Sequence, residues 1–298
     1  MTENGRTVTR IGVIGAGTMG AGIAQVAARS GCEVMLVDLA EDWLDRGLQT
    51  IASGLDRLVT KDRMTAEDRD LVLGRIEGST QIAHVSDCDL VIEAVSEQLA
   101  IKQRVFQDVA EVVAEDAIIA SNTSSISISA FAASVSGSHR VAGMHFFNPV
   151  PVLKLVEVVR GLQTSDETVN RIRGLAERMG KTPVDVTDAP GFVANRLLLP
   201  MINEAIFCLA DGVASAEDID IVMKLGAAHP MGPLALADMI GLDVCLAIME
   251  VLQQQFGDDK YRAAPLLRQM VAAGRLGRKS GQGFHPYPPA NEAMLGIN

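Results

Sequence analysis

Residues 9–38 read TRIGVIGAGTMGAGIAQVAARSGCEVMLVD. Residues 9–14 (TRIGVI) form a short apolar run that enters glycines, as a buried strand entering a turn does. Residues 18–30 hold small and apolar residues at helical density, halted by Gly31. Residues 33–38 (EVMLVD) are a second apolar run that ends in an acid. Strand, turn, helix and strand in this order make a βαβ unit.

The turn carries chemistry. Gly15, Ala16, Gly17, Thr18, Met19 and Gly20 spell GxGxxG, and Asp38 stands 18 residues past the last glycine. Gly15 permits the tight turn. Gly17 lets a pyrophosphate approach the backbone, and Gly20 lets helix and strand pack closely. The N–H groups and dipole at the helix start attract phosphates. Asp38 can accept hydrogen bonds from ribose hydroxyls and would repel a 2′-phosphate. Leu39 offers no guanidinium, so the pattern favours NAD over NADP.

Further along, the apolar spacing of Leu44, Leu48, Ile51, Leu55, Leu58 and Val59 predicts an amphipathic helix over 41–61. Thr65 and Asp68 mark another helix start. Strands are expected at 89–95, 117–120, 140–147, 153–160 and 183–187, with helices at 97–114 and 166–179. This alternation predicts an α/β domain with a mainly parallel sheet covered on both faces. After Asp188-Ala-Pro190-Gly191 the pattern changes, and 192–212, 215–226, 233–256 and 262–274 all read as helices. The expected domains are therefore 1–187 (dinucleotide-binding, α/β) and 188–298 (all-helical).

Composition narrows the function. The 298 residues carry a formal charge of −11, with 26 Lys+Arg against 37 Asp+Glu. That balance disfavours nucleic acid, and one Trp, two Tyr and eight Phe leave few stacking platforms. Four widely spaced cysteines give neither a disulfide framework nor a zinc site, so no metal is expected and a reducing, cytoplasmic setting fits. The 18 uncharged residues between Arg10 and Arg29 could suggest a signal peptide or a membrane span. Gly12, Gly15, Gly17, Gly20 and Gly22 make them poor material for either, and no membrane association is expected.

His145 ends an apolar strand, where parallel sheets place ligands. Twelve residues on, Glu157 lies among Val156, Val158 and Val159. A carboxylate there is costly unless paired, and a His–Glu pair would leave one ring nitrogen to act as a base. A core histidine satisfied by backbone is the plainer alternative. His84, His139, His229 and His285 read as surface residues. SNTSS (121–125) reads as a turn or cap. Asn195 reads as either a helix-start residue or a functional one.

Taken together, IGVIGAGTMGAGIAQ, SNTSS, HFFNPVPVLKLVEV, DAPGFVANRLL, MKLGAAHPMGP and RKSGQGF resemble the L-3-hydroxyacyl-CoA dehydrogenase family, from Arg10 to about Tyr287. The resemblance implies a Rossmann-type NAD-binding domain followed by a helical C-terminal domain that mediates homodimers. It implies oxidation of a (S)-3-hydroxyacyl-CoA, most like 3-hydroxybutyryl-CoA in fatty acid metabolism, with His145 and Glu157 as the catalytic dyad. Polar substrate contacts fall on Ser124 and Asn195, the latter brought in by domain closure. Cofactor contacts fall on Gly15, Ala16, Gly17, Thr18, Met19, Gly20, Asp38, Glu97, Lys102, Ser124, Asn148 and Lys279. A basic CoA contact falls on Lys61. Many members have a serine before that lysine, where this chain has Gly54. Arg57, Lys61 and Arg63 could form a CoA cleft or simply a solvated helix face. The same site could act on 3-hydroxyadipyl-CoA or on a sugar acid such as L-gulonate. A non-catalytic NAD-bound structural role, as in lens crystallins of this family, would require loss of the His–Glu pair.

Overall fold

The computed structural model describes residues 7–287. The chain divides into two compact units between Ala189 and Pro190, inside the Asp188–Gly191 turn. The first unit is built on one eight-stranded sheet. Its strands are β1 (Arg10–Ile14), β2 (Glu33–Val37), β3 (Ile76–Ser79), β4 (Leu90–Glu93), β5 (Ile118–Ser121), β6 (Val141–Phe146), β7 (Leu155–Arg160) and β8 (Thr182–Thr187), in spatial order β3-β2-β1-β4-β5-β6-β7-β8. Every neighbouring pair is parallel except β6 and β7, which run antiparallel. The strand order reverses between β1 and β4, which makes the carboxyl end of β1 a topological switch point. This is a Rossmann-type sheet extended by a reversed pair.

The helices of this unit are α1 (Thr18–Arg29), α2 (Glu41–Thr60), α3 (Ala66–Leu73), α4 (Leu99–Val112), α5 (Ile128–Ala132) and α6 (Asp166–Arg178). Leu44, Gly47, Ile51 and Leu55 are the buried positions of α2, at the three- and four-residue spacing of one helix face. Thr65 caps α3 by accepting a 3.0 Å bond from the Asp68 N–H, as the pattern predicts. The sequence reading missed β3 and α5. The β3 sequence, IEGS, has no apolar run, and its order comes from backbone pairing with β2 at the sheet edge. Five-residue α5 is too short for periodicity to reveal.

Ile11, Val13, Leu36, Ile92, Met144, Phe146, Val156 and Val158 project from one face of the sheet into a core shared with α1, α2 and α6. On the opposite face α5 seats tightly against β6. A Cβ on Gly143 would lie 2.7 Å from Val159 Cβ and 3.0 Å from Ile128 Cδ1, so that position must stay bare. Phe106 of α4 stacks on Phe131 of α5 with ring centroids 4.8 Å apart.

The second unit contains α7 (Ala194–Ala210), α8 (Ala216–Gly226), α9 (Pro233–Ile240), α10 (Leu242–Phe256) and α11 (Pro265–Ala272), and no strand among the described residues. Leu199, Ile202, Ile206, Leu234, Leu242, Met249, Leu252 and Leu267 form its core. The α7 helix continues through Pro200. The single helix expected over 233–256 is two helices, because Gly241 adopts φ +104° and breaks the ladder. Buried Asp238 accepts hydrogen bonds from the Phe284 and His285 N–H groups and the Tyr287 hydroxyl. A Cβ on Gly283 would fall 1.8 Å from Asp238 Oδ1, so the Gly283 of RKSGQGF is needed for the chain to wrap this carboxylate. No helix among the described residues is long and apolar enough to cross a membrane.

Candidate active site

The glycine loop joins β1 to α1 at the switch point. Gly15 has φ +103°, and a Cβ there would meet the Ala94 carbonyl oxygen at 2.7 Å. A Cβ on Gly20 would lie 1.7 Å from the Gly15 carbonyl oxygen, whereas the nearest atom of β1, in Val13, is 3.5 Å away. Gly20 therefore serves the loop's own closure before it serves helix–strand packing. A Cβ on Gly17 would meet nothing within 4 Å. That open face lies over the first turn of α1, which has no side-chain cap, so its N–H groups suit a phosphate. The Gly15 and Ala16 N–H groups are engaged by the Val37 carbonyl (2.7 Å) and Asp38 Oδ2 (2.7 Å). Phosphate donors must then come from Gly17, Thr18 and Met19. Asp38 thus holds the loop with one oxygen and presents the other beside it. The residues present fit a dinucleotide.

On the face of the sheet opposite the α1 core, β6 and β7 place His145 directly across from Glu157. The rings and carboxylate meet: His145 Nδ1 is 2.7 Å from Glu157 Oε2, with the residues 6% and 2% exposed. Antiparallel reversal is what creates the pair, since it brings two positions twelve apart into one register. With Nδ1 turned to the carboxylate, Nε2 is the nitrogen on the far side of the ring. Phe147 flanks the imidazole, with ring centroids 4.5 Å apart. The end of β6 is held by Asn122, whose Oδ1 accepts from the Phe146 N–H at 2.9 Å.

A second polar group lies on the same sheet face, one row earlier. Glu93, Ser121 and Gly143 are register partners across β4, β5 and β6. Glu93 and Lys102 are each 1% exposed. Lys102 Nζ donates to Glu93 Oε1 (2.7 Å), Glu97 Oε2 (3.1 Å) and the Val95 carbonyl (3.2 Å). An ammonium has three hydrogens, so Lys102 is fully engaged within the protein. Glu97 Oε1 accepts from Thr123 Oγ1 (2.5 Å), the Ser124 N–H (3.0 Å), Ser124 Oγ (3.4 Å) and Ser125 Oγ (3.2 Å). Burial alone would raise the Glu97 carboxyl. The Lys102 charge and the hydrogen bonds from Thr123, Lys102 and Ser124 outweigh it and hold Glu97 below the usual carboxylate range. Glu93 escaped the sequence reading, although an acid ending the apolar run LVIE was a usable signal.

The remaining expected positions fall as follows. Asn148 is exposed in the β6–β7 connection. Lys61 is the exposed cap residue of α2, and Arg57 and Arg63 are exposed near it. Gly54 sits on the α2 face where a Cβ would approach Gln25 Oε1 at 3.0 Å. In the second unit, Asn195 is buried in the first turn of α7, and Lys279 Nζ pairs with Asp243 at 2.5 and 2.7 Å. His84 and His139 are exposed, as expected. His285 is not a simple surface residue: its Nε2 lies 2.8 Å from Asp220 Oδ2, because the terminal turn folds back onto α8.

Comparison with known proteins follows the same division. Residues 10–189 match the model of the 3-hydroxyacyl-CoA dehydrogenase NAD binding domain, and residues 191–287 match that of the family's C-terminal domain. The chain is 50% identical over 278 residues to the 3-hydroxybutyryl-CoA dehydrogenase of Clostridioides difficile, covering 93% of this chain and 99% of that one. It is 43% identical over 291 residues to the 3-hydroxyadipyl-CoA dehydrogenase of Escherichia coli, covering 97% of this chain and 61% of the relative. The crystal structure of (S)-3-hydroxybutyryl-CoA dehydrogenase from Ralstonia eutropha superposes with a TM-score of 0.92 at 52% identity, covering 95% of this chain and 100% of that one. Both halves match in order and nearly end to end, and the chain belongs to the 3-hydroxyacyl-CoA dehydrogenase family of NAD-dependent oxidoreductases.

Proposed function

We propose that this enzyme interconverts (S)-3-hydroxybutyryl-CoA and acetoacetyl-CoA, with His145 as general base and Glu157 as its orienting carboxylate. The buried 2.7 Å His145–Glu157 pair at the carboxyl end of β6 carries this reading. Bound NAD⁺ supplies the hydride acceptor. His145 Nε2 takes the proton of the 3-hydroxyl, and Glu157 stabilises the resulting imidazolium and fixes the ring. In the reverse direction the same imidazolium returns the proton. Ser124 and Asn195 are assigned hydrogen bonds to the reacting oxygen or the thioester carbonyl.

Gly17, Thr18 and Met19 receive the pyrophosphate in a cradle shaped by Gly15, Ala16 and Gly20, and Asp38 receives the ribose. Glu97, Lys102, Asn148 and Lys279 are assigned to the cofactor's outer contacts. Exposed Arg57, Lys61 and Arg63, beside Gly54, are assigned to the anionic end of CoA, which favours an acyl-CoA over a free sugar acid such as L-gulonate. The helical unit is assigned to homodimer formation, and the setting to cytoplasmic fatty acid metabolism. A second reading, 3-hydroxyadipyl-CoA, is supported by the relative named for that activity.

A substrate panel tests this. Acetoacetyl-CoA, longer 3-oxoacyl-CoAs, 3-oxoadipyl-CoA and a free 3-oxo acid are each reduced with NADH and with NADPH. Acetoacetyl-CoA with NADH should give the highest kcat/KM. A preference for the dicarboxylic thioester would replace the first reading with the second, and turnover of the free acid alone would remove CoA recognition.

A further inference from the structure

We propose that Gly47 of α2, which lies outside the glycine loop in sequence, is a positioning residue that aims the Gly17 N–H at the dinucleotide phosphates. The inference rests on the proposed pyrophosphate contact at Gly17. Gly47 is buried in the interior of α2, and its backbone is helical, so its conformation does not call for glycine. A glycine there weakens the helix relative to alanine. Space is what excludes alanine. A Cβ on Gly47 would lie 2.6 Å from the Ala16 carbonyl oxygen and 2.8 Å from Ala16 Cβ. The second glycine of α2 differs: a Cβ on Gly54 would meet the side-chain amide of Gln25, which can swing aside. What Gly47 faces is the backbone of the cofactor loop.

The Ala16 carbonyl and the Gly17 N–H belong to one trans peptide plane and point in opposite directions. The carbonyl is turned against α2. The N–H therefore points away from α2, at the uncapped start of α1. The Ala16 N–H belongs to the preceding plane, which Asp38 Oδ2 holds at 2.7 Å. With that plane held, the surface of α2 sets the turn of the next one. Leu44, Ile51 and Leu55 anchor the same face of α2 in the core, so the helix does not simply back away. A methyl group at residue 47 would push the carbonyl off α2 and swing the Gly17 N–H from the phosphate. Asp38, which faces the ribose, is tied to the other plane and keeps its place.

Gly47→Ala is compared with wild type for its affinity for NADH, ADP and adenosine, by calorimetric titration of the folded protein. Gly174→Ala is the control. It makes the same exchange inside α6, where a Cβ would meet nothing within 4 Å. Where Gly47→Ala does not fold, it is made in an Ala16→Gly background and compared with Ala16→Gly alone. That background removes the clash with Ala16 Cβ and keeps the clash with the carbonyl.

The expected result is that Gly47→Ala binds NADH and ADP roughly 10- to 100-fold more weakly, as loss of a hydrogen bond to a charged group does, and adenosine within about threefold of wild type. Gly174→Ala should bind NADH within about twofold of wild type and melt no lower. NADH affinity within about twofold in Gly47→Ala would overturn the inference, because the loop would then take its shape without α2. Adenosine weakened as much as ADP would overturn it too and leave Gly47 a packing residue. A wild-type affinity for ADP no tighter than that for adenosine would instead remove the pyrophosphate contact on which the inference stands.

Discussion

Among the described residues, a histidine–carboxylate pair stands in each unit. His145 and Glu157 face each other at 2.7 Å between strands, and His285 and Asp220 at 2.8 Å between the terminal turn and α8. Distance does not separate them; their place in the fold does. Asp220 also accepts the Leu234 and Ala235 N–H groups, and so joins α8, the start of α9 and the terminal turn. The second nitrogen of His285, Nδ1, faces another acid, Glu217, at 3.8 Å. With both nitrogens turned to carboxylates and its side chain 17% exposed, His285 acts as a clamp. The His145 ring has one nitrogen on Glu157 and the other on the opposite side, at the strand end where this fold binds ligands. Under the proposed function, the strand pair is the catalytic dyad and the terminal pair a structural clamp.

Four substitutions probe this contrast. His145→Gln should lower kcat by roughly 10²–10⁴ while NADH affinity and the melting temperature stay near wild type; near-normal turnover would show that the strand pair is merely structural. Glu157→Gln should cost roughly 10²-fold in kcat and alter the pH profile of turnover, because the imidazolium loses its buried counter-charge. An unchanged profile would reduce Glu157 to packing. His285→Gln should do the reverse, leaving kcat within about twofold and lowering stability by about 1 kcal/mol in chemical denaturation. A large loss of turnover with an intact fold would erase the distinction between the pairs.

The smallest effect belongs to Lys279→Met. Burial raises the Asp243 carboxyl, but the hydrogen bond and charge of Lys279 more than offset this and leave it below the usual carboxylate value. A carboxyl depressed in the folded state adds stability above its unfolded pKa and loses it as pH falls through the folded one. The variant should therefore be less stable by at most about 1 kcal/mol near neutrality, for a half-exposed pair. The difference should vanish in acid, and a difference that grew in acid would contradict the pairing.

Much of this contrast was legible before folding, and the illegible part has a common cause. Gly15, Gly17, Gly20 and Asp38 announced the loop because a phosphate-binding turn is local and its residues are close in sequence. His145 and Glu157 drew notice because each was a polar group in an apolar run. Glu93 had the same signature and was passed over, since nothing nearby in sequence named its partner Lys102, nine residues away on another element. His285 looked superficial because Asp220, 65 residues earlier, is brought to it only by the packing of the helical unit. Lys102 has no partner legible in the sequence, and only the fold turns its three hydrogens to Glu93, Glu97 and the Val95 carbonyl. Gly241 could have signalled the break between α9 and α10, yet the apolar period on both sides concealed it.

The amino-acid sequence by itself determined the βαβ start, the glycine cradle, the change from α/β to helices near 188, and that His145 and Glu157 are polar residues set in apolar runs. These follow from backbone preference and hydrophobic period, properties of neighbouring residues. Tertiary structure alone decided that β7 runs against β6, so that residue 145 meets residue 157. It also decided that one lysine serves two glutamates beneath Ser124, and that the last histidine clamps a helix. Those outcomes depend on strand register and long-range packing, which no local stretch of sequence encodes.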